Sequence, residues 1–372
     1  MKIIFLIVFL GAIAFIGGRH PVAKAVRPAV FAGCGMALGP WGFGLVPTNL
    51  LLELQPLAMF SLAWIGLVIG MQADLKLWAR AGMPTVRLSL ALGAGSGIVA
   101  AIPTAILLWL AKQPPGYVLA GSLIMAAAAA ASSCFRAGNG QLANLARACA
   151  GLDDLMSLLL AILPFALIGV SGAVSGISDT FLHTGVMALL GFFCGVAFIL
   201  LVGPRARMDE RLALCIGVIA VIAGTSAYLG VAPFVVAGFS GIVLVNTDIA
   251  PKEKIYEVLV NAERPIGLFL MLFAGALVSN PSWLALAIGV LWAVARILGR
   301  GLTAHLLNAP KGLEDKLVAV SPVVMVITGG FVLLAPTNFG PLLLQSAVLG
   351  WWATEAWVIF SNLRQPAEEV GA

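Results

Sequence analysis

Ala150-Gly151-Leu152-Asp153-Asp154-Leu155-Met156-Ser157-Leu158-Leu159-Leu160 sets two adjacent carboxylates inside a run that is otherwise apolar. Nothing in the stretch supplies a counter-charge. If the run is a core helix of a soluble protein, two bare carboxylates in it are a defect; if it spans a bilayer, they are a functional site. An ionisable side chain at the centre of a membrane costs at least ~2.5–3.5 kcal/mol and is a functional hypothesis by default. Adjacent residues on a helix diverge by about 100°, so the two aspartates face different neighbours.

The rest of the chain decides for the bilayer. Of 372 residues, 61% are apolar, 10% are charged and 42 are glycine, with a mean hydropathy of +1.06. Soluble domains carry about 45–50% apolar and about 25% charged residues, so a soluble enzyme, a nucleic-acid binder and a disordered scaffold are excluded. Cys34, Cys134, Cys149, Cys194 and Cys215 are scattered in apolar runs without metal-ligand spacing, so they read as small buried hydrophobes. Neither a metal centre nor a cofactor is expected. Met1 to Ile16 resembles a signal peptide, but Gly17-Gly18-Arg19-His20-Pro21 is a poor cleavage context and the segment reads as a helix.

Spanning helices need about 20 apolar residues, and the polar breaks divide the chain into about thirteen. Alternate breaks hold seventeen basic residues, from Arg19, Lys24 and Arg27 to Arg364, while the opposite side holds only Lys2 and Lys112. By the positive-inside rule the N-terminus is outside and the C-terminus cytoplasmic. The net charge of +5 is thus an orientation signal. The insert 247–264 has the spacing of a short amphipathic helix on the cytoplasmic surface, linking two halves. About ten residues follow the last helix, so a single transmembrane unit over 1–372 without a soluble regulatory domain is expected.

The sixth segment is expected from Arg147 to about Val170, which puts Asp153 and Asp154 roughly 10 Å inside its cytoplasmic end. An interfacial pair at a helix N-terminus is disfavoured by the apolar turn and Arg147 before them. In the eleventh segment Arg296 lies at comparable depth, and a buried arginine stays charged, so Asp153 is its expected partner. Arg300, nearer the end, is expected to snorkel to the surface. Glu355 in the last helix reads as a second acidic site or as a structural carboxylate bonded across helices; Glu53 reads as interfacial.

Two segments look interrupted. Met125 to Gly140 is alanine-rich and then runs Ser132-Ser133-Cys134-Phe135-Arg136, with Gly138 and Asn139 beyond. Small residues allow close crossings, and local unwinding exposes carbonyls and helix ends that can bind an ion in mid-membrane. A counterpart is Ser321-Pro322 through Thr328-Gly329-Gly330, where Pro322 is expected to free a helix carbonyl. Each interrupted helix is second in a triplet, 84–172 and 282–362. An odd offset of seven crossings inverts one triplet relative to the other, the geometry of an inverted-repeat transporter. The fold expected is therefore an all-α polytopic membrane protein with two interrupted crossing helices.

These residues resemble the cation:proton antiporter superfamily, in particular its bacterial Na+/H+ antiporter-like branch. The similarity rests on six elements in order: Gly35 through Gly39-Pro40; Gly70-Met71 through Asp74-Leu75; Asp153-Asp154 behind Ser132-Ser133; Gly230 through Phe234 and Ala237-Gly238; Pro265 through Phe273-Ala274-Gly275; and Arg296 through Gly299. The resemblance implies exchange of a monovalent cation for protons, with Asp154 binding the cation or proton. It further implies Asp153 paired with Arg296, Ser132 and Ser133 at the crossover, and a homodimer. Electrogenic members generally carry lysine at the position of Arg296, and many electroneutral members pair Asn-Asp with arginine. Asp-Asp with arginine departs from both. Many relatives also carry an acid in the twelfth helix, where this chain has Ser321-Pro322.

Two rivals have sequence support. An organic-anion/Na+ symporter would fit the same scaffold. An intramembrane serine protease would use Gly238-Phe239-Ser240-Gly241 with His305 as base, but thirteen helices are too many for it. A purely structural or receptor role leaves the buried charges unexplained.

Overall fold

The computed structural model describes residues 21–134, 141–168, 176–201, 208–247, 252–278, 282–310, 312–334 and 339–364. The first of the thirteen expected helices, Met1 to Ile16, and Arg136, Gly138 and Asn139 lie outside them. The described residues form helices and no strands: α1 (Pro21–Leu38), α2 (Thr48–Met71), α3 (Leu75–Ala81), α4 (Met83–Leu110), α5 (Pro115–Ala130), α6 (Gln141–Leu167), α7 (Ile177–Leu201), α8 (Met208–Leu229), α9 (Pro233–Asn246), α10 (Lys252–Ala276), α11 (Trp283–Leu306), α12 (Leu313–Lys316), α13 (Val323–Leu334) and α14 (Phe339–Arg364). Among them α2, α4, α6, α7, α8, α10 and α11 are long and apolar enough to cross a bilayer.

The two interrupted segments are α5 and α13. At ~1.5 Å per residue, the 12 residues of α13 reach well short of the ~30 Å hydrocarbon layer. The chain completes the crossing in extended form: beyond α5, Ala131 is extended and Ser132 forms an isolated antiparallel bridge with Val320. The bridge is sealed by Ser133 N–H to Ala319 O at 3.0 Å and Ser133 Oγ to Val320 O at 3.1 Å. Lone extended backbone in an apolar interior is costly because its polar groups go unpaired; two such stretches laid against each other pair some of them.

Around this crossing α4, α5, α6, α11, α13 and α14 pack together, while α2 lies along α9 and α1 along α10. The second group uses glycine for backbone-on-backbone contact. A Cβ on Gly66 would strike the Phe234 carbonyl, and one on Gly70 the Gly238 carbonyl. The glycines of two separate sequence elements, Gly70-Met71 and Ala237-Gly238, are therefore one contact.

Three expectations are corrected. The sixth segment starts at Gln141, six residues before Arg147, because Ala143, Ala146 and Cys149 are buried while Gln141, Asn144 and Arg147 face outward, so the helical pattern simply continues upstream. Asp153 thus lies about 18 Å along α6, near its middle. The insert 247–264 is not a separate surface helix: Lys252–Ala276 is one 25-residue helix that runs through Pro265. That proline costs the bond to the carbonyl four residues earlier, but Ile255 and Leu259 are fully buried on the near side and Met271 on the far side, which holds both arms in place. Pro322 does not interrupt a helix either; it starts α13, with Val326 N–H bonded to its carbonyl, where a missing N–H is harmless.

Replacing Gly70 with valine is expected to lower unfolding stability by about 1–3 kcal/mol, the range for overpacking, whereas Gly185→Ala, whose Cβ meets nothing within 4 Å, leaves it unchanged. Thermal unfolding of the purified variants in detergent measures both.

Candidate functional site

Helix α5 stops in the middle of the protein, and its last carbonyls have no intrahelical partner. Side chains from three other helices supply donors. Ser157 of α6 donates to Ala127 O, and Ser96 of α4 donates to Ala129 O at 3.1 Å. Arg296 Nε reaches Ala129 O at 3.2 Å, Arg300 Nη2 reaches Ala130 O at 3.1 Å, and Arg296 Nη2 reaches Ala131 O at 2.9 Å. The C-terminal end of a helix carries partial negative charge, so two guanidiniums there are favourably placed.

Arg296 also crosses to the second interrupted segment. Its Nη1 donates to Val318 O at 2.5 Å and its Nη2 to Ala319 O at 3.1 Å. The side chain is fully buried, and the contacts described for its planar fork are to backbone. Glu355 of α14 accepts the Trp351 indole N–H at 3.1 Å and lies beside the Val320 backbone. Arg296 and Glu355 both meet the crossing.

Asp153 is fully buried and ion-paired. Ser132 Oγ donates to Oδ2 at 2.5 Å and Arg300 Nη1 to the same oxygen at 2.7 Å, while Ser89 Oγ, 3.4 Å from Oδ1, shares its one proton with Cys149 O at 3.0 Å. The expected Asp153–Arg296 pair is thus replaced by Asp153–Arg300, and Arg300 does not snorkel: it is 1% exposed. The two arginines are four residues apart on one helix face. The one that meets the broken ends of both segments is used up on carbonyls, and the next turn meets the carboxylate.

Asp154 is arranged differently. Its Oδ1 is buried and has no hydrogen-bond partner. The carboxylate lines a cavity of about 370 Å³ together with Ile65 of α2, Glu263, Arg264 and Met271 of α10, and Ser321 at the start of α13. Ser321 is its hydroxyl neighbour, and the N-terminal turn of α13 adds its positive end to the same wall. No cluster of three or more metal-ligating side chains occurs among the described residues; the cavity's carboxylates are Asp154 and Glu263. Around the crossing three carboxylates, Asp153, Asp154 and Glu355, stand against two guanidiniums. The uncompensated negative charge falls on Asp154.

Of the residues singled out in the sequence, the structure therefore joins Asp153, Ser132 and Arg300 in one group; Ser133, Arg296 and Glu355 in the crossing; and Asp154 with Ser321 in the cavity. Glu263 and Arg264 belong to the insert 247–264, whose spacing predicts a helix on the cytoplasmic surface. Their signal was present in the apolar run from Ile266 to Ala276 that follows without a break.

A family model for the transmembrane sodium/hydrogen exchanger matches residues 5–366. The chain belongs to the sodium/hydrogen exchanger family. This is a transporter family and not a family of enzymes, which agrees with Ser240: its hydroxyl is buried and spent on Gly191 O at 2.8 Å and Val236 O at 3.1 Å. The fold is also that of the sodium proton antiporter MjNhaP1 from Methanocaldococcus jannaschii. Its structure at pH 8 matches with a TM-score of 0.63 and 13% identity over 98% of both chains. An electron-microscopy structure of the same protein gives 0.64 and 14% over 98% of this chain and 97% of that one. No curated protein sequence matches the chain. This exchanger is thus a multi-pass membrane protein of antiporter fold.

In this exchanger, Arg300→Met leaves Asp153 buried and unpaired, which costs about 3–5 kcal/mol. Asp153→Asn added to Arg300→Met is expected to recover part of that loss, while Asp153→Asn with Arg296→Met shows a smaller coupling. A double-mutant cycle of thermal unfolding reads both couplings.

Proposed function

We propose that this protein exchanges a monovalent cation, Na+ or K+, for protons, and that Asp154 is the carboxylate that carries either one across. The observation that supports it best is the buried, unpartnered Oδ1 of Asp154 facing a cavity beside two broken helices. A charge in that position is stable only when neutralised. A proton or a cation does this, but not both, so the two compete for one group. Neutralised, the carboxylate can pass an apolar barrier; bare, it is held back. Competition at one site, open first to one side and then to the other, is sufficient for antiport.

The remaining charges have a positioning role in this reading. Arg300 compensates Asp153 and Arg296 clamps the crossing. Because arginine does not release a proton at usable pH, the exchanged protons are carried by carboxylate. The inverted triplets 84–172 and 282–362 form the moving unit, and α1, α2, α9 and α10 the group against which it moves. The protein works as a homodimer in the bacterial inner membrane with its N-terminus outside, the orientation that the basic residues favour.

Asp154→Asn removes the charge at nearly constant volume and is expected to abolish cation-dependent proton movement in proteoliposomes while leaving thermal stability unchanged or raised. In the unmodified protein, lowering the pH on the cation side raises the apparent KM for Na+, because protons occupy the same carboxylate, and saturating Na+ restores the rate. Full exchange by Asp154→Asn contradicts the assignment.

A further inference from the structure

The cavity of Asp154 has a second carboxylate. Glu263 lies on α10, about 17 Å from that helix's start at Lys252 by its rise per residue, and its side chain forms part of the cavity wall. No ion pair is described for it. It is half-buried, open to the cavity, and close enough to Asp154 for the two carboxylates to repel each other. Arg264, the next residue and an exposed one, lines the same cavity. Two acids and one base leave the space one negative charge in excess, and Glu263 is the acid on the helix outside the crossing. The helix arm that carries it is held at its start and one turn before Glu263. Trp64 of α2 donates its indole N–H to Leu259 O at 3.0 Å, one turn before Glu263, and Lys252 at the start of α10 is paired with Asp74 at 3.2 Å.

A low-dielectric cleft lined by one sign of charge concentrates counter-ions and raises their rate of arrival. A cation that reaches Glu263 relieves the repulsion between the two carboxylates before it meets Asp154. We infer that Glu263 is a cation-capture residue for the transport site, and that Arg264 opposes it by raising the electrostatic cost of loading. Both roles rest on reading Asp154 as the transport carboxylate. Removing either side chain exposes the other's effect on the cavity.

The test is initial rates of Na+-driven proton movement in proteoliposomes at low ionic strength, as a function of Na+. Glu263→Gln is expected to raise the apparent KM by about five- to tenfold with a much smaller effect on the maximal rate, Glu263→Asp to recover most of the affinity, and Arg264→Gln to lower the KM. Adding choline chloride narrows all of these differences, because screening weakens exposed charges. Glu257→Gln, which removes an exposed charge elsewhere on α10, leaves KM and rate as they are. The inference is overturned if both Glu263→Gln and Arg264→Gln reduce the rate with KM unchanged, the pattern of a purely structural role, or if Glu263→Gln matches the unmodified protein. Absence of exchange in the unmodified protein refutes the transport reading itself, a result distinct from either.

Discussion

The structure depends on one constraint: a helix that ends in mid-membrane leaves carbonyls that must be paired inside the protein. Helix α5 stops at Ala130, and in an apolar environment each unpaired carbonyl would cost several kcal/mol. Arg296, Arg300, Ser96 and Ser157 are where they are because those oxygens have to be met. Once two guanidiniums are buried for that purpose, carboxylates must follow. Asp153 answers Arg300 and Glu355 faces the bridge at Val320. The charges of this fold are thus linked to the break in the helix, and the break to the ion.

Asp154 stands outside that arrangement. It shares a helix turn with Asp153, yet faces about 100° away, into a cavity rather than a counter-charge. The separation gives the two aspartates distinct tasks. One completes a buried ion pair bonded to Ser132 and Arg300, and the other is left with its charge unmet. A site that must release its cargo benefits from this division: the bonds that hold the protein together are not the bonds that form and break during transport.

Much of this was legible in the sequence, for physical reasons. Membrane residence follows from composition alone, and the break after α5 from Ser132-Ser133, whereas Ser321-Pro322 marks the start of α13. The aspartate pair stands out because a bilayer makes charge conspicuous. What the sequence did not disclose was which arginine meets Asp153. Arg296 and Arg300 lie one turn apart on the same helix face, so periodicity cannot separate them; only the depth at which α5 ends does so. The start of α6 was missed because Arg147 looked like a boundary, although its helix simply turns that residue outward. Glu263 and Arg264 were hidden by Pro265, which reads as a break and is in fact crossed by a continuous helix. Residues assigned to a surface linker were, for that reason, lining the cavity.

The central claim is that one carboxylate takes either a cation or a proton. Calorimetric titration of the purified protein with Na+, in buffers of differing ionisation enthalpy and at two pH values, addresses it directly. Under this account cation binding releases protons, so the observed heat scales with the buffer's ionisation enthalpy and the affinity weakens as pH falls. Binding heats that are independent of the buffer, with an affinity unchanged by pH, would contradict it.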